Sequence, residues 1–185
     1  MSTDDPIQLL VLEEFQLSTG DAHGAVTAIV ERSHNGREPR MPLLTSIEDR
    51  TNVAVLRGLR AGESSEPDAT QHAALDEFVS SWQAPKHYGP RIAERSESPP
   101  TYYRMAVTES GINDPDDAAT IGGGLRLDAT FTDIGLLWIG QPVGTHAGLL
   151  VLLGSHGDPS AEMREHRWPL PLSRRLGVRV YEGRA

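Results

Sequence analysis

The chain has 185 residues, 38% hydrophobic and 23% charged, which is enough apolar content for one folded core. Its formal net charge of −9 argues against whole-surface binding to nucleic-acid phosphates, because that affinity depends on clustered Lys and Arg. Since the sequence has no cysteine, disulfides, thiolate metal sites and cysteine nucleophiles are excluded. The N terminus lacks a basic segment followed by an apolar one, so we expect no secretory signal and a cytoplasmic location.

The first elements are predicted as strands. Residues 7–17 contain consecutive apolar side chains typical of a buried strand, although Asp5-Pro6 also resembles a helix start. Residues 25–31 are rich in β-branched side chains and predict a second strand. Asn35-Gly36 then favours a hairpin turn, which predicts a returning strand over 41–44.

The next stretch contains the clearest helix pattern. Residues 46–59 open with a capping-box-like segment and predict a helix, with a strand as the alternative. Residues 69–82 predict a helix because their large apolar side chains recur at helical spacing. Residues 84–100 contain four prolines among alternating charges and predict a linker or surface arm.

The second half is predicted to be mostly β. Strands are expected over 102–108, over 121–132 and over 176–181, because each has alternating or β-branched apolar residues. Residues 158–166 predict a short helix that begins at an Asp-Pro pair.

The longest uncharged run, residues 134–155, has the length of a membrane span. Polar groups and a proline in its middle, from Gln141 to His146, argue against a span, because lipid would leave them unsatisfied. The run is instead predicted as a hairpin of two strands that are apolar on both faces. Both faces must therefore be covered, by the same chain or by a partner.

Together these elements predict an α+β protein that is β-rich, with a mainly antiparallel sheet or small barrel, two or three helices and a central hairpin at 134–154. We expect a single domain over 1–185, or two subdomains. These would be 1–83, with a β-hairpin plus helices, and 101–185, an antiparallel β unit with a basic tail, joined by the proline-rich linker or arm at 84–100.

The segment Ser155–Asp158 is the strongest local candidate for chemistry, because it follows a buried strand and precedes a predicted helix N terminus. Its candidate catalytic residues are His156, as a base, and Asp158. A serine triad within the segment is excluded because neighbouring side chains on extended backbone point in opposite directions. His146 lies at the other end of the predicted hairpin and cannot join His156 on one metal. His156, Asp158, Glu162 and His166 remain as ligands, but a helix cap and an ion pair explain the last three, so we expect no metal and no cofactor.

The C-terminal tail is basic, in contrast to the acidic remainder of the chain. It either docks on the acidic body or contacts an acidic partner. The candidate partner-binding residues are Arg164, Arg167, Arg174, Arg175 and Arg179.

These observations favour a non-enzymatic binding or assembly subunit of a larger complex, with a protein partner or a second copy of the chain covering the hairpin. Nucleic acid would be contacted only as part of such a complex, through the arginine-rich tail, and no membrane is expected. The alternative is a small hydrolase or metal-dependent enzyme with its site at the Ser155–Asp158 turn.

Overall fold

The computed structural model describes residues 6–33, 42–66, 69–112, 117–127, 134–145, 147–156 and 177–184. The strands are β1 (Leu9–Leu17), β2 (Leu44–Ser46), β3 (Asn52–Leu59), β4 (Val79–Trp82), β5 (Lys86–Arg95), β6 (Tyr102–Ile112), β7 (Ile134–Pro142), β8 (Ala147–Ser155) and β9 (Arg179–Arg184). The α-helices are α1 (His23–Ser33), α2 (Ala69–Leu75) and α3 (Asp117–Leu127), and a short 3-10 turn (Gly20–Ala22) precedes α1. Within these ranges no helix has the length and apolar character needed to cross a membrane.

Eight of these strands close into an antiparallel barrel. The order around the ring is β1, β3, β2, β9, β6, β8, β7 and β5, and β5 pairs again with β1. Strand β4 pairs with the end of β1. Closure stabilises the sheet because it removes the unpaired edges of these strands. The structure therefore confirms the β-rich α+β class, the antiparallel barrel and the central hairpin, which β7 and β8 form.

The two halves of the chain arrange their four strands in the same spatial order: fourth, first, third, second, counted along each half. In the first half this order is β4, β1, β3, β2, and in the second half it is β9, β6, β8, β7. The halves meet where β2 pairs with β9 and where β5 joins β7 to β1. Strands from both halves thus share one barrel, and a division into two subdomains stays a prediction.

Both faces of the hairpin are covered within the chain. On β7, Trp138 points into the barrel lumen and belongs to the core cluster that fills it. The next residue, Ile139, points outward and packs in the cluster that contains Ile121 and Leu125 of α3. This alternation follows from the pleat of a strand.

Two predicted strands are helices in the structure. Residues 25–31 lie in α1, where Val26 and Val30 are buried one helical turn apart against the outer face of the first half. Residues 121–132 overlap α3, whose Ile121 and Leu125 show the same spacing. In both segments the free energy of burying one helical face outweighs the strand preference of single residues.

Two other segments are strands in place of the predicted elements. Residues 52–59 form β3 and not a helix, because pairing along the whole length of β1 buries their apolar side chains. Residues 86–95, within the predicted linker, form β5, which closes the barrel. The predicted helix over 69–82 ends at Leu75, and its last residues form β4. The hairpin turn at Asn35-Gly36 and the helix over 158–166 lie outside the described residues.

Candidate active site

Four charged side chains meet at one end of the barrel. They are Glu14 near the end of β1, Lys86 at the start of β5, Glu109 late in β6 and Arg179 at the start of β9. In an antiparallel barrel the start of one strand lies beside the end of its neighbour. The ends of β1 and β6 and the starts of β5 and β9 therefore lie at the same end of the lumen. We call this group the charged mouth.

Arg179 joins the two carboxylates of the charged mouth. Its Nε and Nη2 each donate to Glu14 at 3.0 Å, one to each carboxylate oxygen. Its Nη1 lies 3.0 Å from Glu109 Oε1. Glu14 is only 3% exposed and also accepts a 2.5 Å hydrogen bond from the Tyr181 hydroxyl. These partners offset the cost of burying the Glu14 carboxylate inside the barrel.

Lys86 completes the group from the opposite wall. Its Nζ donates to Glu109 Oε1 at 2.6 Å and lies 3.7 Å from Glu14 Oε2. It is the only lysine in a chain whose other 16 basic residues are arginines. Its compact ammonium group is a point charge, unlike the planar guanidinium that the rest of the chain uses.

The charges and the burial perturb several pKa values. The hydrogen bond from Lys86 lowers the pKa of Glu109, with a further contribution from Arg179, so this carboxylate is ionised at neutral pH. Burial alone would lower the pKa of Arg179, but its bonds to Glu14 and the charge of Glu109 raise it. Burial raises the pKa of the Tyr88 and Tyr181 hydroxyls, and the negative charge of Glu14 adds to this. Both tyrosines therefore remain neutral.

A cavity of about 530 Å³ opens beside the charged mouth, and we call it the mouth cavity. This volume lies within the range of small-molecule sites. The start of β5, the end of β6 and the turn between β7 and β8 form its wall. The lining includes Lys86, His87, Tyr88, Thr108, Glu109 and Val143.

Three buried polar atoms near this cavity have no hydrogen-bond partner in the part of the chain that the structure describes. They are His87 Nε2, Thr108 Oγ1 and, deeper in the lumen, Trp138 Nε1. A Cβ built on Gly140 would lie 2.8 Å from this indole nitrogen and 3.1 Å from Tyr88 Cβ, which places the indole edge next to Tyr88. Unpaired buried polar groups cost about 1–3 kcal/mol each, so a bound polar molecule that satisfied them would be stabilised.

Of the predicted site residues that the structure describes, Arg179 belongs to the charged mouth and His156 lies away from it. His156 follows β8, at the far end of the hairpin from the mouth cavity. Its Nε2 is 3.1 Å from Ser96 Oγ, and the Ser96 hydroxyl donates to the Ser98 carbonyl at 2.8 Å. Asp158 lies outside the described residues. The catalytic role of these two residues stays a prediction.

Of the predicted partner-binding arginines, Arg179 is described and belongs to the charged mouth. The other four lie outside the described residues, and their role stays a prediction, as do a protein partner and an oligomer. In the described ranges no three His, Asp or Glu side chains cluster as metal ligands would.

Sequence reasoning missed Glu14, Lys86 and Glu109. Two signals could have indicated them: an acidic pair inside the apolar segment of β1, and the use of lysine at one basic position only. Neither signal shows that these residues meet, because they come from different strands.

Comparison with known proteins gives no match to a protein-family profile and no match to a curated protein sequence. Solved structures do match. A protein from Lactobacillus acidophilus named "putative monooxygenase" has a TM-score of 0.63 at 7% identity, covering 96% of this chain and 93% of that one. One from Fusobacterium nucleatum with the same name has a TM-score of 0.64 at 12% identity, covering 96% and 92%. An anthrone oxidase-like protein has 0.63 at 12% identity, covering 98% and 93%. The likeness shows a shared fold.

This comparison corrects the interpretation of the chain as a non-enzymatic assembly subunit. That interpretation was wrong, because the fold is shared over almost the whole chain with proteins named for enzymes. It depended on a hairpin with two apolar faces, which the lumen and α3 cover within one chain. The hydrolase alternative at Ser155–Asp158 has no counterpart among these names.

Proposed function

We propose that the protein is an oxidase or monooxygenase that binds a planar aromatic substrate in the mouth cavity and oxidises an acidic C–H group with dioxygen. The observation that carries this proposal is the pair formed by Lys86 and Glu109, 2.6 Å apart at the wall of that cavity. The names of the structures with the same fold, monooxygenase and anthrone oxidase-like, support the reaction class.

Glu109 and Lys86 have different roles in the proposed reaction, one as a base and the other as a cation. Glu109 accepts the proton that leaves the carbon, and the Lys86 ammonium stabilises the negative charge that then develops on the substrate. Because its pKa is lowered, Glu109 is a weak base, so the C–H group must be activated by a conjugated carbonyl, as in anthrone. One methylene group and one dioxygen molecule give one carbonyl group and one water molecule.

The test is oxygen consumption with anthrone as the substrate. The purified full chain in air-saturated buffer should consume dioxygen as anthraquinone absorbance appears. Glu109→Gln should slow the reaction by about 10²–10⁴ if it removes the base. Lys86→Met should slow it by about 10²–10³ if it removes the stabilising charge.

Arg32→Gln is the matched control, since Arg32 is exposed on α1 and its side chain donates to the Ala28 carbonyl of its own helix. It should leave the rate unchanged. Circular dichroism checks that each variant is folded. If the unmodified protein consumes dioxygen no faster than the buffer with anthrone, and anthrone does not bind in a calorimetric titration, the proposal is overturned.

A further inference from the structure

A second cavity, of about 460 Å³, adjoins the mouth cavity, and we call it the outer cavity. Pro142, Val143 and Thr145 line both cavities. The β7–β8 turn is therefore a wall that the two cavities share. Val143 is 62% exposed at this turn, so the shared wall presents an apolar side chain.

Arg91 reaches the outer cavity because β5 is irregular at this point. Pro90 lies opposite Gly140, but Ile92 lies opposite Ile139, so Arg91 is an extra residue in the ladder between β5 and β7. Such a bulge redirects the side chain of the extra residue, and bulges are frequent beside active sites.

The guanidinium group is held in place by a neutral partner. Arg91 Nε donates to Gln141 Oε1 at 3.0 Å, and Nη2 donates to the same oxygen. The amide of Gln141 is oriented in turn, since its Nε2 donates to the Thr145 carbonyl at 3.4 Å. The outer edge of the guanidinium, formed by Nη1 and Nη2, still has N–H groups to donate.

The charge of Arg91 is not compensated by a carboxylate in the described ranges. Lys86 and Arg179, by contrast, each pair with two carboxylates. An arginine that is fixed by an amide keeps its full charge for another anion and has already lost part of its side-chain freedom. Both properties favour binding of an acidic group from outside the chain.

We propose that the outer cavity is a subsite for an acidic substituent, such as a carboxylate or sulfonate, on the aromatic substrate in the mouth cavity. Arg91 binds this group, and Gln141 positions Arg91. The subsite rests on the proposed function, because the same substrate would place its rings in the mouth cavity and its acidic group in the outer cavity, across the β7–β8 turn. It specifies the substrate class as an aromatic compound that carries an anionic substituent beyond its reacting ring.

The test compares two probes by isothermal titration of the full chain. Anthraquinone-2-sulfonate carries the acidic group, and 2-(hydroxymethyl)anthraquinone is a neutral probe with the same rings. At low ionic strength the sulfonate should bind about fivefold more tightly, the size expected for an exposed ion pair. The advantage should disappear at about 0.5 M salt because exposed charges are screened.

Two variants separate the charge of Arg91 from its position. Arg91→Gln removes the charge and should abolish the fivefold advantage. Gln141→Glu keeps Arg91 in place but supplies a carboxylate that neutralises it, so the advantage should again disappear. Neither variant should change the affinity for the neutral probe, and Arg32→Gln should change neither affinity.

Each outcome is decisive. If both probes bind the unmodified chain equally, or if the advantage persists in both variants, the subsite is overturned while the mouth cavity stands as the binding site. If neither probe binds, the proposed function fails and the subsite fails with it.

Discussion

Replacing Arg179 by methionine should remove the two hydrogen bonds that its guanidinium donates to the buried Glu14 carboxylate. Hydrogen bonds to charged groups contribute about 1.5–3 kcal/mol each, so the gross loss is about 3–6 kcal/mol. Arg179 is itself 28% exposed, and Lys86 lies 3.7 Å from the same carboxylate, so solvent and Lys86 compensate in part. We expect the free energy of unfolding to fall by about 2–3 kcal/mol.

The double variant Arg179→Met with Glu14→Gln tests the cause of this loss. A glutamine at position 14 leaves no buried charge, so the double variant should lose only about 1 kcal/mol, less than Arg179→Met alone. Urea unfolding followed by circular dichroism at pH 7 measures both values, with unchanged m-values as the check on two-state behaviour. Arg32→Met is the control and should stay within about 0.5 kcal/mol of the unmodified protein.

A loss of less than about 0.5 kcal/mol for Arg179→Met, the scale of an ordinary surface substitution, would contradict a stabilising role for these hydrogen bonds. So would a double variant whose loss equals the sum of the losses measured for Arg179→Met and Glu14→Gln singly, because the two side chains would then act independently.

The remaining predictions concern two glycines of the hairpin and the loss of stability at acidic pH. Gly148→Ala should lower the free energy of unfolding by more than about 2 kcal/mol, because φ is +89° and a Cβ would lie 2.5 Å from the Thr108 carbonyl oxygen. Gly144→Ala is the control, with φ of +83° and open space, and should cost only about 1 kcal/mol. Equal losses in urea unfolding would contradict the clash at Gly148. The pKa of Glu109 is lowered in the folded protein, so its contribution to stability is present above its ordinary value of 4.5 and is lost as pH falls through the folded-state value. Glu109→Gln should therefore lower stability at pH 6 and have less effect at pH 3, and a variant whose loss is the same at both pH values would refute the lowered pKa.

The strands predicted correctly include runs in which apolar residues follow one another over strand length. The run of β1 also allowed a helix start at Asp5-Pro6, and the run of β7 and β8 has turn residues at its middle that favour a hairpin. Residues 25–31 and 121–132 were different, because their β-branched or alternating residues also fit one face of a helix. Which of the two forms depends on what each face packs against, and that information is not local.

The repeated strand order also escaped the sequence. The two halves share the order of their four strands, but no period in the sequence marks it, since different side chains fill equivalent positions. Strand β5 shows the same limit: four prolines between residues 84 and 100 indicate a linker, yet the segment closes the barrel because its neighbours β1 and β7 offer unpaired backbone groups on both sides.

The β-rich class, the hairpin and the absence of thiol chemistry could be read from the sequence, because each follows from composition or short-range pattern. The sequence also contained two signals of a special site, the acidic pair in the apolar segment of β1 and the single lysine. No local pattern shows that Lys86 meets Glu109 or that Arg179 of the basic tail reaches Glu14 in the first strand. Those contacts span up to 165 positions along the chain, and the closure of the barrel creates them.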